Sequence, residues 1–229
     1  MTDPVKPSPS MLVELDAEQL RFRAAELEQA RGDRHRGAVE AWHRVPETYR
    51  GRELELLPRC SPLLRHKLGK ASLPTLSALL LGPSGIGKTT GLAWLIRRAL
   101  SEFESSDGQR AKEAPGLLWS TAAAIALSDR RHPLGSDKPP LLAQATTASL
   151  LVIDDIGLEP AGVVAEVLWA RYDAKRPVMA TSGLTKRQLT DHLGAAGVRR
   201  LTDQHAGSPV LVVDAHEKSE SKAAGGGKG

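Results

Sequence analysis

Residues 76–90 read LSALLLGPSGIGKTT, and the fold follows from them. The apolar run Leu76–Leu81 has the length of a strand. It leads into G-x-x-x-x-G-K-[ST], with Gly82, Gly87, Lys88 and Thr89 at the defining positions and Gly85 between them. A helical pattern, Thr89–Leu100, follows at once. Strand, glycine-rich loop and helix in this order make a nucleotide phosphate loop. The glycines allow a tight turn whose N–H groups point inward at phosphate oxygens, and the helix presents its positive end to the same anion. The binding stretch is therefore Gly82, Pro83, Ser84, Gly85, Ile86, Gly87, Lys88, Thr89 and Thr90. Lys88 is expected on the β- and γ-phosphates, and the Thr89 hydroxyl on Mg²⁺.

Composition narrows what surrounds that loop. At 229 residues the chain can bury a sizeable core, with one domain plus an appendage as the natural division. A net charge of +4 permits contact with nucleic acid without requiring it, and the few aromatic residues argue against a surface of base-stacking platforms. Cys60 is the only cysteine, which rules out an intrachain disulfide or a Cys-rich zinc module. It reads as a packed residue. No apolar run reaches membrane-spanning length, and the polar, Pro-rich start MTDPVKPSPS is unlike a signal peptide, so a cytoplasmic protein is expected.

Residues 1–11 and 215–229 read as disordered, the latter ending in the low-complexity SESKAAGGGKG. Residues 12–44 read as a helical N-terminal region. Leu12, Leu15, Leu20, Ala24, Leu27 and Ala30 recur at helical spacing, with Asp16 and Gln19 as a start signal and Gly32 as a break. Such a segment either packs on its own core or docks a partner. Residues 45–72, interrupted by Pro58 and Pro62, read as a connector. The nucleotide domain spans 73–214. Short apolar runs predict strands at Ala78–Leu81, Leu117–Ser120, Leu150–Ile153, Val178–Thr181 and Val210–Val213. Helical patterns lie between them at Ala122–Arg130, Pro140–Ala145, Val163–Ala174 and Lys186–Leu201, with exposed loops at Ser105–Pro115 and His132–Pro139. The alternation predicts a doubly wound α/β fold with a parallel sheet.

The strand Leu150–Ile153 ends in Asp154-Asp155. After a phosphate loop, such a pair has two tasks. Asp154 would hold Mg²⁺ through water, and Asp155 would orient and deprotonate an attacking water. Asp154 to Gly157 also fits the D-x-x-G of GTPases, but guanine selection in that class uses N-K-x-D, and the chain contains no asparagine. ATP is the expected nucleotide. No lid or acceptor-site motif supports a small-molecule kinase.

GLLWSTAAAIALSDRR, LLAQATTASLLVIDDIGLEP and RPVMATSGLTKRQL together resemble the DnaC/IstB branch of the AAA+ ATPases over about residues 45–214. Members are helicase loaders and transposition helper ATPases. The resemblance implies a P-loop NTPase of AAA+ type, with a five-stranded parallel sheet, flanking helices and ATP between neighbouring subunits. It implies a sensor at the end of the fourth strand. Where relatives read T-S-N this chain has Thr181-Ser182-Gly183, which leaves Ser182, with Thr181 second, to serve. GVRRLTDQ, residues 197–204, resembles the arginine-finger segment, with Arg200 aligned best and Arg199 next. Asp155 stands where many AAA+ proteins have glutamate, which suggests slow hydrolysis. The chain ends soon after the fifth strand, so the small helical lid of larger AAA+ machines is not expected.

The function implied is that of a weak ATPase acting in DNA replication as a DnaC-like helicase loader. Its partners would be a replicative helicase and single-stranded DNA, and it would form homo-oligomers on binding ATP or DNA. An IstB-like helper of a transposase and a nucleotide-gated adaptor with negligible turnover are the alternatives. His132, His192, His205 and His216 lack metal-ligand spacing and read as surface residues. Arg130, Arg131 and Lys138 form a basic cluster that reads as a solvated loop or a phosphate contact. Trp94 and Trp169 read as core, and Ser120 and Thr121 sit where AAA+ proteins place a polar switch.

Overall fold

The computed structural model describes residues 9–71, 77–105, 116–131, 139–203 and 210–216; of residues 9–18 and 161 only the backbone is described. The domain start near Leu73, most of both exposed loops, the C-terminal tail, His132, Lys138 and His205 lie outside the described residues.

Five short apolar runs become five parallel strands: β1 (Ala78–Leu81), β2 (Leu117–Thr121), β3 (Leu150–Ile156), β4 (Val178–Ser182) and β5 (Leu211–Asp214), in the order β2-β3-β4-β1-β5. Side chains alternate between the two faces of a strand, and both faces of the central strands are covered, so β1 and the first four positions of β3 are apolar throughout, with polar residues at the C-terminal tips of β2, β3, β4 and β5. Ala78, Leu80, Leu150, Val152 and Met179 enter one core, and Leu79, Leu81, Leu151, Ile153 and Ala180 the other. The fold is the expected P-loop α/β architecture, a five-stranded parallel sheet flanked by helices.

The second core is closed by α5 (Ala122–Arg130), α6 (Pro140–Thr147), α7 (Ala161–Asp173) and α8 (Lys186–Thr202). Thr185 and Gln188 form a capping box that starts α8, and the helix turns a corner at Gly194, whose φ of 74° lies outside the helical region. A buried cation joins α6, α7 and β4. Arg171 is fully buried, and its guanidinium donates to the carbonyls of Ala145 (2.8 Å), Ala148 (2.9 Å) and Pro177 (2.7 Å). Burial, helped by nearby Arg176, pushes its pKa down to about 10, which leaves it charged at neutral pH.

The first core departs from the sequence reading. It is covered by α4 (Lys88–Ser105), and on α4 lie the helices of the supposed connector: α2 (Glu53–Leu56), α3 (Pro62–Gly69) and two short 3-10 turns, Glu47–Tyr49 and Leu57–Arg59. Leu56, Cys60, Leu64 and Leu68 are buried there. Pro62 does not interrupt this segment; it takes the first turn of α3 behind the Ser61 cap, where its missing N–H costs nothing. Arg98 pairs with Glu53 at 3.4 Å across α4 and α2.

The N-terminal region is one helix, α1 (Pro9–His43), which begins inside the stretch read as disordered. Gly32 does not break it: a single glycine costs only about 1 kcal/mol, and its Ala-, Glu-, Leu- and Arg-rich neighbours favour helix. Its two halves differ. Ala38, Ala41 and Val45 are buried in the first core, Arg97 lies 5.6 Å from the Trp42 ring, and Arg44 donates to Leu117 O at 3.1 Å. Tyr49, just beyond, stacks on Trp119. Farther out, Leu20, Phe22 and Leu27 are each about two-thirds exposed, at 66%, 65% and 64%. No helix among the described residues is long and apolar enough to cross a membrane.

Candidate functional site

The phosphate loop joins β1 to α4 at the C-terminal edge of the sheet. Gly82, Gly85 and Gly87 have φ values of 151°, 81° and 88°, conformations that side-chain-bearing residues rarely adopt. Gly87 has a second reason to be glycine. A Cβ there would lie 2.9 Å from Cys60 Cα and 3.0 Å from Arg59 O. The chain before α3 therefore rests directly on the loop. Ser61 N–H donates to Ile86 O at 2.9 Å, and the Cys60 thiol approaches Gly87 O at 3.5 Å. Burial pushes the Cys60 thiol up to about 11, so it stays protonated and packed, as the sequence suggested.

Lys88 is buried at the loop's centre, and its ammonium donates to Gly82 O at 2.7 Å and Pro83 O at 2.9 Å. Burial pushes its pKa below 10.5, while the carboxylates of Asp155 and Asp154 work in the opposite direction. The first bond of α4 to close is Gly91 N–H to Gly87 O, at 2.8 Å. The N–H groups of Lys88, Thr89 and Thr90 precede it and have no helical acceptor, the usual condition of a first turn. Donors, dipole and ammonium thus converge on one spot, which is what a polyphosphate requires.

Across from the loop, Thr89 Oγ1 donates to Asp154 Oδ1 at 3.0 Å. Two residues 65 positions apart are brought into contact by the neighbouring ends of α4 and β3. A hydroxyl and a carboxylate are hard oxygen donors of the kind Mg²⁺ prefers, so these residues fit the ion that the motif calls for.

β3 carries a bulge at the acid pair. Ile153 pairs with Ala180 and Ile156 with Ser182, so three steps on β3 face two on β4. The extra residue gives Asp155 a φ of 61° and turns its side chain out to solvent, while Asp154 stays buried. Bulges often re-aim side chains beside active sites. Thr181 holds the two acids together. Its hydroxyl donates to Asp154 Oδ1 at 2.6 Å and accepts from Asp155 N–H at 2.8 Å.

Ser182, the first choice for the sensor, is placed elsewhere. It is fully buried, its hydroxyl donates to Ile156 O at 2.5 Å, and it accepts from Leu184 N–H at 3.1 Å. The hydroxyl at the acid pair belongs to Thr181, the second choice. The reason is strand alternation: Thr181 and Ser182 point to opposite faces, and a one-residue difference decides which meets Asp154.

The finger candidates lie on the second segment of α8. Arg200 sits over the rings of Trp169 (5.0 Å) and Tyr172 (5.5 Å) and donates to Ala196 O at 3.1 Å. Arg199 is exposed and faces Asp203 at 3.7 Å. Trp169, read as core, is 48% exposed and serves as the platform under Arg200; Trp94 is buried as expected. Thr121 caps α5, accepting from Ala124 N–H at 3.1 Å, and the Ser120 hydroxyl donates to Thr121 O at 3.3 Å, so both are engaged within their own strand end. Arg130 and Arg131 are exposed at the end of α5. His192, read as a surface residue, is partly buried and bonded to Glu159, which the sequence did not single out. No cluster of metal-ligating His, Cys, Asp and Glu occurs among the described residues.

No protein-family model matches the chain, and no curated protein does. Solved structures do. A DnaI structure is 16% identical, covers 70% of this chain and 93% of its own, and has a TM-score of 0.45. A DnaC helicase loader is 16% identical over 76% of this chain and 99% of its own, with a TM-score of 0.46. AMPPCP-bound DnaA from Aquifex aeolicus is 16% identical over 70% of this chain and 47% of its own, with a TM-score of 0.44. Each is a distant likeness; strand order and the geometry of the loop and acid pair carry the fold assignment.

Proposed function

We propose that this chain binds and slowly hydrolyses ATP, as a DnaC/IstB-like AAA+ protein acting in DNA replication. The observation that carries the nucleotide reading is the contact of Thr89 with Asp154 at the mouth of the phosphate loop, with Thr181 joining Asp154 to Asp155. Bound Mg²⁺ would offset phosphate charge. The loop N–H groups and Lys88 would hold the β- and γ-phosphates, for which Lys88 must release the two carbonyls it now engages. Asp155, solvent-facing beside buried Asp154, would take a proton from a water molecule attacking the terminal phosphate. Thr181 would keep the acids in register, and Arg200 or Arg199 would reach a neighbouring subunit's nucleotide.

The partner reading is a replicative helicase loaded onto single-stranded DNA. It is supported by the sequence resemblance and by the exposed Leu20, Phe22 and Leu27 on the outer half of α1. The site is tested by ATP·Mg²⁺ titration of the full chain and of Lys88→Ala. Binding should fall at least a hundredfold in a variant whose melting temperature is retained; unchanged affinity would remove the assignment.

A further inference from the structure

Glu159 follows the acid pair by four residues and is buried, its side chain wholly inaccessible to solvent. A carboxylate in such a place is costly unless its oxygens are satisfied. Here they are. Oε2 accepts from two successive backbone groups, Gly157 N–H at 2.9 Å and Leu158 N–H at 3.0 Å. Oε1 accepts from His192 Nε2 at 3.1 Å. The turn it closes contains Gly157 with a φ of 134°, and Asp155, at 61°, lies two residues before it in the β3 bulge. Gly157 is tightly seated as well: a Cβ on it would lie 2.7 Å from Leu184 Cδ1.

The backbone after Asp154 is therefore held from two sides. β4 holds Asp155 N–H through Thr181 and Ile156 O through Ser182. Glu159 holds the next two amides. Beyond Ile156, Glu159 holds this turn through both amides, with Leu184 packed on Gly157, and Asp155 lies just before it. His192 lies on the first segment of α8, two residues before the corner at Gly194, and the arginines follow on the second segment. The same carboxylate thus ties the acid pair to the helix that carries the finger candidates.

We infer that Glu159 is a positioning residue for Asp155, acting through the 157–158 amides and joined to α8 by His192. This rests on the hydrolase reading above. A carboxylate retained only for stability would affect binding and turnover alike. A positioning role predicts a split, because misplacing a reacting group by about an ångström costs on the order of a hundredfold in rate without altering phosphate contacts.

The experiment uses the full chain with Glu159→Ala and Glu159→Gln. It measures ATP turnover, the affinity for a non-hydrolysable ATP analogue with Mg²⁺, and hydrogen exchange of the amides at 155–158. Glu159→Ala should lose at least tenfold in turnover, keep analogue affinity within about threefold, and exchange faster at Gly157 and Leu158. Glu159→Gln should recover most of the turnover, since its amide oxygen can accept both N–H bonds. Should Glu159→Ala not fold, Glu159→Asp takes its place: it keeps the charge but is one carbon too short to span the turn, and it should show the same split.

Wild-type turnover in Glu159→Ala, or affinity falling in step with turnover, overturns the inference. A wild-type chain that binds but never hydrolyses ATP removes the hydrolase reading instead. The clamp is then decided by exchange, and unchanged exchange at 157–158 in the variant refutes it.

Discussion

Replacing Thr181 by valine keeps the shape of the side chain and removes only its hydroxyl. The bond lost to Asp154 is short and has a charged acceptor, a type worth about 1.5–3 kcal/mol. The Asp155 N–H loses its acceptor too, but Asp155 is exposed, so water can replace part of that bond and the lower end of the about 1–3 kcal/mol range applies. Together these come to about 2.5–4 kcal/mol. Against a typical stability of about 5–15 kcal/mol the variant should still fold. If about 2.7 kcal/mol of this hold acts on the reactive arrangement, turnover falls about a hundredfold. Binding should change little, because Lys88 and the loop are untouched. The assay is steady-state phosphate release alongside analogue affinity for Thr181→Val, Thr181→Ser and Ser182→Ala. Serine keeps the hydroxyl and should stay within about threefold of wild type. Ser182→Ala loses a structural bond to Ile156, so about 1 kcal/mol of stability should go while most turnover remains. Full activity in Thr181→Val, or a larger catalytic loss in Ser182→Ala, would refute the reasoning and return the sensor to Ser182.

Arg171→Met should cost about 3 kcal/mol in urea unfolding: three charge-assisted bonds to buried carbonyls are lost, partly offset by relief of a buried charge, and a loss below about 1 kcal/mol would show that those carbonyls find other partners. Arg200→Ala should lose the aromatic contact, about 0.5–2 kcal/mol of stability, and its turnover as well, and mixed with inactive Asp155→Asn it should regain some turnover; recovery with Arg199→Ala and none with Arg200→Ala would make Arg199 the finger. A chain starting at Val45 loses Ala38, Ala41 and Trp42 from the first core and should melt lower and bind ATP poorly, while one starting at Arg31 should keep its melting temperature and lose helicase capture in a pull-down. Equal capture by the Arg31 chain and the full chain would end the docking reading of the outer half of α1.

The elements of the sheet and the loop were legible in the sequence because their determinants are local. A strand buried on both faces must be apolar at every position, which marks Ala78–Leu81 and Leu150–Ile153 without reference to any neighbour. The phosphate loop is legible for the same reason, since its glycines answer first to positive backbone angles, which are local. Other features depend on which segments meet. Pro58 and Pro62 look like interruptions until α3 is seen lying on α4, with Cys60 against Gly87. The outward turn of Asp155 comes from a bulge, a mismatch between two strands whose residues meeting there, Asp155 and Thr181, lie 26 positions apart, and which neither strand encodes alone. Register chose Thr181 over Ser182, because a step of one residue moves a side chain to the opposite face. Arg200 is drawn onto Trp169 and Tyr172 by the packing of α7 against α8, and Glu159, in the turn after β3, meets His192 of α8. The sequence by itself determined the layers and the chemistry available at the strand tips. Tertiary structure decided which of those groups touch, since a contact between distant residues has no local signature in either.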